Sequence, residues 1–325
     1  VFTINNVKVK GPIDVNFSRD KYINRAFINS FELLMNKILL TRDLEKVKQI
    51  KLKEIKSLIN SFQFLDESYR SNLYRADIKI SYDEKKIKNF LGKKNISFTL
   101  PEKISAVFFP VLFINDEFKS FNENYFYKNL LNVEVENELI NFILPLEDAE
   151  DILKIVKMKD NIELLDFNSL VNKYDEKNYI FVLMNYQNNK LNIHLKTNFN
   201  DNKVSKNISH KIIDIKNEAE LQIILLDLKL KIMDLWKEQN LINILLPLSV
   251  ELKFKHLNLK DLDKIRNVFY KINILDDYKL EKFNINNSVF KLYYYSNPKK
   301  LKSELLKFGY NLENNQGVWQ IYLNE

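Results

Sequence analysis

The chain has 325 residues, of which 46% are hydrophobic and 29% charged, and this composition excludes a disordered protein. Its formal net charge is +7, but 44 of the 50 basic residues are Lys, whereas proteins that bind phosphates and bases favour Arg. There is no Cys, which excludes disulfides, thiolate catalysis and Cys-ligated metal centres.

The net charge changes sign twice along the chain. Residues 1–100 carry a net charge of +9, residues 101–247 carry −6 and residues 248–325 carry +4. Because a chain of this length suits two or three domains, we predict three modules with these boundaries. No apolar run approaches the roughly 20 residues that a membrane-spanning helix needs, so we predict no transmembrane segment.

Residues 1–100 predict an α+β module made of a strand, two helices, a hairpin and a closing helix. The run "VFTINNVKVK" alternates as a strand does, and "SRDKYINRAFINSFELLMNKIL" has apolar residues at helical spacing. A second, Lys-rich helix is predicted over about 44–59. The stretch "FQFLDESYRSNLYRADIKISYD" predicts two antiparallel strands joined by a polar turn without Gly or Pro. The closing helix is "DEKKIKNFLGKK", with Asp83 as its N-cap.

The central module, residues 101–247, begins with "ISAVFFPVLFIN", which is apolar on both faces and predicts a strand covered on both sides. The run "LINFILPLEDAEDILKIV" predicts a buried strand followed by a helix. Two strands, 179–186 and 190–197, form a predicted hairpin around Asn188 and Asn189. The long helix "NEAELQIILLDLKLKIMDLWKEQ" ends the module.

The C-terminal module, residues 248–325, has the predicted order strand, helix, strand, strand, helix, strand. This βαββαβ order is that of a ferredoxin-like module. The predicted fold class is therefore α+β, with three mixed α/β modules of which the last is ferredoxin-like. The six predicted elements cover residues 249–254, 259–271, 278–285, 288–295, 298–308 and 317–323.

No residue pattern indicates catalysis, a metal or a cofactor. The three histidines, His194, His210 and His256, lie in different segments and lack the spacing of metal ligands. A Gly-rich phosphate loop, a nucleophile elbow and a dinucleotide fingerprint are all absent from the sequence. We therefore predict no catalytic, cofactor-binding or metal-binding residues, no cofactor and no enzymatic activity.

One acidic group, Glu147, Asp148, Glu150 and Asp151, has two possible interpretations. Four carboxylates in a short stretch are compatible with general acid–base work or metal binding. Carboxylates at a helix N-terminus also interact favourably with the helix dipole, and this interpretation is preferred here.

The C-terminal strands contain the candidate binding surface. If Val250, Leu252 and Phe254 face the core, then the alternate residues Lys253 and Lys255 face outward. The same alternation places Lys291, Tyr293 and Tyr295 of the neighbouring central strand outward. Lysines and tyrosines on an open sheet face resemble the RNA-binding surface of an RRM domain, but the Gly and aromatic residues of that signature are absent. We therefore favour packing against a protein partner over nucleic acid; the candidate partner-binding residues are Lys253, Lys255, Lys291, Tyr293 and Tyr295.

Five stretches of the sequence carry a family resemblance: the N-terminal helix, the hairpin stretch, "FFPVLFI", "FILPLEDAEDI" and "GYNLENNQGVWQIYL". Together they resemble domain-of-unknown-function family 2066, a family of proteobacterial envelope proteins. The resemblance covers nearly the whole chain in pattern and order. It implies an exported periplasmic protein. A first residue Val1 in place of Met fits either a mature protein whose signal peptide has been removed or a shortened chain, and in an exported protein Val1 excludes lipidation on a leading Cys. The resemblance assigns no catalytic residue. Glu67, Arg70 and Tyr74 match its hairpin pattern, and we predict that Glu67 and Arg70 pair across the turn while Tyr74 packs.

The leading hypothesis is a soluble, non-enzymatic periplasmic protein that acts in envelope assembly or as an interaction scaffold, with protein partners in the cell envelope. Two alternatives stay open. The first is a nucleic-acid-binding protein that uses the open face of the C-terminal sheet. The second is a hydrolase whose site is assembled from residues far apart in the sequence.

Overall fold

The computed structural model describes residues 2–100, 102–135, 138–242, 248–256, 258–295, 297–315 and 318–323. Helices and strands occur in comparable amounts, and the strands form separate sheets with helices packed on their faces. The predicted α+β class is therefore confirmed.

The N-terminal segment forms a three-stranded antiparallel sheet in the order β1-β3-β2, with α1 packed on one face. The Lys-rich helix predicted over 44–59 is wrong in extent, since a 3-10 helix (Thr41–Val47) and a short α-helix replace it. Few residues of this segment are buried, so little packing supports a longer helix. The other elements are β1 (Thr3–Pro12), α1 (Arg19–Ile38), α2 (Leu52–Leu58), β2 (Ile59–Arg70), β3 (Leu73–Tyr82), α3 (Glu84–Lys93) and β4 (Phe98–Thr99).

The β2–β3 hairpin turns later than the sequence suggested. Ser71 and Asn72 form the turn with φ of 51° and 55°, values typical of the tight turns that join two antiparallel strands. Glu67 therefore lies within β2 rather than in the turn. It pairs with Arg19, whose Nε and Nη2 lie 2.7 and 3.0 Å from the two carboxylate oxygens. The predicted pairing of Glu67 with Arg70 is wrong.

Tyr74 adds a buried hydroxyl to this ion pair. It is fully buried, as predicted, and its hydroxyl donates to Glu67 Oε1 at 2.8 Å. The Arg19 guanidinium, and after it the Tyr74 hydroxyl, stabilise the charged form of Glu67 and lower its pKa to about 2. The cluster of Arg19, Glu67 and Tyr74 links the start of α1 to the β2–β3 hairpin.

The central segment forms a six-stranded sheet with the order β10-β9-β8-β5-β6, in which β7 also pairs with β5. One face packs on α4 and α7, and the other packs on α5 and α6. Asn188 and Asn189 turn the predicted hairpin with φ of 51° and 57°. The elements are β5 (Ile104–Ile114), β6 (Glu117–Lys119), α4 (Tyr125–Asn129), β7 (Ile140–Ile143), α5 (Ala149–Lys157), α6 (Phe167–Val171), β8 (Tyr179–Gln187), β9 (Lys190–Phe199), β10 (Asn202–Lys211) and α7 (Glu218–Gln239).

The C-terminal segment contains a five-stranded sheet with the order β13-β14-β12-β16-β15. A short strand, β11, precedes it. The elements are β11 (Leu241–Ile242), β12 (Leu248–Lys255), α8 (Leu259–Lys271), β13 (Leu275–Phe283), β14 (Asn287–Tyr294), α9 (Pro298–Leu306), β15 (Tyr310–Asn315) and β16 (Val318–Leu323).

This sheet departs from the predicted ferredoxin-like order by one strand. After α9 the chain forms β15 at the sheet edge and only then returns as β16 beside β12. Because of this additional hairpin, β16 runs parallel to β12. A single strand after α9 would run parallel to β14 and hence antiparallel to β12.

The described chain forms two compact units where three modules were predicted. One unit contains Val1–Leu100 together with Asn240–Glu325, and the other contains Pro101–Gln239. The two segments of the first unit are held together in two ways. β4 pairs with β11, and a single hydrophobic core includes residues of both segments. By sequence the first unit carries a net charge of +13 and the second −6.

Candidate binding surface

The C-terminal sheet buries one face against α8 and α9. Val250, Leu252 and Phe254 of β12 are buried, as the alternation predicted. Phe290, Leu292 and Tyr294 of β14 are buried as well. These side chains belong to the same core as five apolar residues of the two helices, Leu262, Ile265, Phe269, Leu301 and Leu305.

The opposite face of this sheet is accessible to solvent and rich in lysine. Lys253 and Lys255 are exposed on β12, as is Glu251, and the strand register places Lys291 of β14 between Glu251 of β12 and Lys279 of β13. Tyr293 lies on the same face, half-buried. We call this the lysine–tyrosine face, defined by Lys253, Lys255, Lys279, Lys291 and Tyr293.

The charges of this face are available for binding. In the described part of the chain, none of its four lysines forms an ion pair. The ammonium groups of Lys279 and Lys291 lie 5.6 and 6.0 Å from the centroid of the Tyr293 ring. The negative face of an aromatic ring attracts cations, so Tyr293 moderates the repulsion between these two neighbouring lysines.

Tyr295 lies apart from the other predicted residues. β14 ends at Tyr294, and Tyr295 packs against the core, where burial raises the pKa of its hydroxyl. Its N–H donates to the Ile274 carbonyl at 2.8 Å. Tyr295 therefore contributes to a neighbouring groove, described below, rather than to the lysine–tyrosine face.

Lys279 is the member of this face that sequence reasoning missed. The strand containing it was predicted, but its inward and outward positions were not assigned. The alternation of Tyr278 and Leu280 with Lys279 was the available signal. This alternation is a weak signal because β13 is mostly exposed and has two register shifts in its pairing with β14.

A groove of about 1,100 Å³ lies in the same unit, between α3, α8 and the start of β13. Tyr270 and Tyr278 form part of its wall, with ring centroids 5.5 Å apart. Arg266 Nε donates to the Tyr278 hydroxyl at 3.2 Å. Lys88 of α3 lies on the other side and donates to the Asn273 carbonyl at 3.1 Å.

The histidines occupy separate places. His194 Nδ1 lies 2.7 Å from Asn207 Oδ1, and the buried His256 Nε2 lies 2.9 Å from Ser288 Oγ. His210 is on β10. Within the described ranges, no group of three or more His, Cys, Asp or Glu side chains could hold a metal ion.

The acidic group at the start of α5 contributes to helix capping and ion pairing. Asp148 is the N-cap and accepts the N–H groups of Glu150 and Asp151 at 2.8 and 3.2 Å. Lys173 Nζ lies 3.0 Å from Asp148 and 2.9 Å from Asp151. The pKa of Asp148 is lowered, chiefly by Lys173, and that of Lys173 is raised, chiefly by Asp151. Asp148, Glu150 and Asp151 thus lie at the N-terminus of α5, where the preferred interpretation placed them.

No protein-family model matches the sequence, and no similar curated protein was found. Among the described residues, no helix combines the length and the apolar character that crossing a membrane requires.

Proposed function

We propose that this chain is a binding protein that holds an acidic protein partner on its lysine–tyrosine face. The observation that supports this function is the grouping of four lysines that form no ion pair with any described residue, on the solvent-accessible side of a sheet whose other side is buried. A positive surface attracts a negative partner and orients it during association. Tyr293 adds an aromatic side chain of the kind enriched at protein interfaces.

The side chains favour an acidic polypeptide over a nucleic acid. The face uses Lys, a compact point charge, whereas Arg supplies the planar fork that binds phosphates and bases through two hydrogen bonds. The Tyr293 ring, on which a base would stack, already lies beside Lys279 and Lys291. Carboxylates of a partner protein are therefore the better complement.

We extend this proposal to the cell envelope, where the family resemblance of the sequence supports a periplasmic location. The binding function would then be a non-enzymatic role in envelope assembly. Fractionation of cells that express the full-length protein tests the location, and recovery with the cytoplasmic fraction alone would contradict it.

Charge reversal tests the binding function. Fluorescence anisotropy would measure binding of labelled poly-L-glutamate, a model acidic polypeptide, to the wild type and to the variant Lys253→Glu/Lys255→Glu. We expect the variant to bind about tenfold more weakly and the wild-type affinity to fall as salt is added. The matched control is Lys260→Glu/Lys264→Glu, which reverses two exposed lysines of α8 and should retain wild-type affinity.

Two outcomes would overturn the proposal. Equal loss of binding in both double variants would show that only the net charge matters. Tighter binding of an oligothymidine than of poly-L-glutamate, weakened by Tyr293→Ala, would instead support the nucleic-acid hypothesis.

A further inference from the structure

β13 leaves one backbone edge without a strand partner in the described chain. It lies at the end of the sheet order and pairs with β14 alone. Backbone N–H and C=O groups at such an edge can pair with an added strand. The edge is therefore a potential binding element, separate from the lysine–tyrosine face.

The hydrogen bonds show which residues face this edge. Tyr295 N–H donates to the Ile274 carbonyl, so the alternation of an antiparallel pair directs Asp277 and Lys279 toward β14. Tyr278 and Leu280 then direct their backbone groups outward. In agreement, Tyr278 N–H donates to the side chain of Asp277 at 2.8 Å.

The regular part of this edge is short. The register of β13 shifts between Leu275 and Asp277 and again between Leu280 and Lys282. The longest stretch of β13 that pairs without a bulge is residues 277–280. Bulges and charged residues protect an edge from unspecific pairing, so any added strand must match this short stretch.

The groove lies beside the same residues, because Leu275 to Tyr278 and Leu280 form part of its wall. Its volume of about 1,100 Å³ exceeds that of a typical small-molecule site, which indicates room for several residues of a peptide. The Tyr270 side chain is accessible, with 76% of the residue exposed, and offers an apolar ring to a ligand. Both acidic and basic side chains line the groove, so its lining does not select for strong net charge.

We propose that this edge and groove bind an extended peptide segment of a partner protein. The segment adds a strand to β13 over residues 277–280 and places an apolar side chain against Tyr270. An extended backbone is the occupant that satisfies the outward C=O of Tyr278 and the outward N–H and C=O of Leu280, since the Tyr278 N–H already donates to Asp277. This inference goes beyond the proposed function, because it concerns a different surface and a different kind of contact.

A phage-displayed library of random peptides is the probe. We expect selection on the full-length protein to enrich peptides that carry an apolar residue. Their binding should weaken about tenfold in Tyr270→Ala. The control is Tyr322→Ala, which removes a partly exposed tyrosine of β16, outside the groove, and should leave binding unchanged.

Two backbone measurements distinguish strand addition from side-chain contact alone. Hydrogen exchange at the Leu280 amide should slow when an enriched peptide is added. Leu280→Pro removes an outward N–H without removing a bond to β14, and should weaken binding, whereas Leu280→Ala should retain it.

The proposal is overturned if no peptide is enriched above background, or if the enriched peptides protect amides elsewhere. It is also overturned if Tyr270→Ala and Leu280→Pro both bind like the wild type. The variant Lys253→Glu/Lys255→Glu should keep peptide binding, so this test and that of the lysine–tyrosine face can fail independently.

Discussion

The sheet of the central unit and the C-terminal sheet bury their residues in different ways. In β5, the consecutive residues Phe108 and Phe109 are both buried, one in each of two separate cores. In β12, Leu252 is buried while its neighbour Lys253 is exposed. A sheet covered on both faces thus requires an uninterrupted apolar run, and a sheet covered on one face leaves alternate positions free for binding.

Alanine substitutions at consecutive positions should show this contrast most strongly. Phe108→Ala and Phe109→Ala should each lower the free energy of unfolding by about 3–5 kcal/mol, because each leaves a cavity in a packed core. In β12, Leu252→Ala should cost about 2–5 kcal/mol, but Lys253→Ala should stay within about 0.5 kcal/mol. Urea unfolding would measure all four. A loss for Phe109→Ala as small as that for Lys253→Ala would break the comparison.

A buried lysine of the central unit sharpens the contrast with the surface lysines. Lys229 of α7 is almost fully buried, and its Nζ donates to the carbonyls of Leu130 and Val133 at 3.2 and 2.7 Å. It also lies 2.6 Å from Glu138 Oε1. Lys229→Met should therefore cost about 2–3 kcal/mol of unfolding free energy, since two buried carbonyls lose their donor.

The control for this substitution is Lys231→Met, two residues away on the same helix. Lys231 is more accessible, with 42% of its side chain exposed, and its replacement should change stability by less than about 1 kcal/mol. Equal stability of Lys229→Met and the wild type in urea unfolding would show that the buried lysine is dispensable.

The smallest expected effect concerns the N-terminal sheet, where Glu67 pairs with Arg19. The pKa of Glu67 is lowered from 4.5 to about 2, so its charged form contributes stability above pH 4.5 that is lost as the pH falls toward 2. Glu67→Gln should cost roughly 1 kcal/mol at pH 7 and reduce the loss of stability between pH 4.5 and 2. Thermal unfolding across this pH range would measure both.

Arg70→Ala provides the control, because Arg70 is exposed and Glu67 pairs with Arg19 instead. This variant should keep both the stability and the pH dependence of the wild type. An effect of Arg70→Ala as large as that of Glu67→Gln would support the pairing of Glu67 with Arg70 that the sequence suggested.

Local patterns predicted the class of most elements. The uninterrupted run of β5 indicated a doubly covered strand, and alternation assigned the inner and outer positions of β12. The additional strand β15 was missed. Its sequence, YNLENN, alternates two buried residues with polar ones, but it is rich in Asn, which is disfavoured in strands.

The candidate surface was predicted in part. Lys253, Lys255, Lys291 and Tyr293 were identified from strand alternation, and all four lie on the lysine–tyrosine face. Lys279 joins them only because β13 pairs with β14. Tyr295 does not lie on this face because β14 ends at Tyr294.

By itself, the sequence determined the α+β class, most helices and strands, and which side of β12 carries its lysines. These features depend on neighbours a few residues apart, through the periods of helix and strand. Only the tertiary structure decided that residues 1–100 and 240–325 share one core and that Glu67 binds Arg19. It also decided that β13 has an edge unpaired by any described strand, beside a groove. Each of these arises from contacts between residues distant in sequence, and no local pattern specifies such partners.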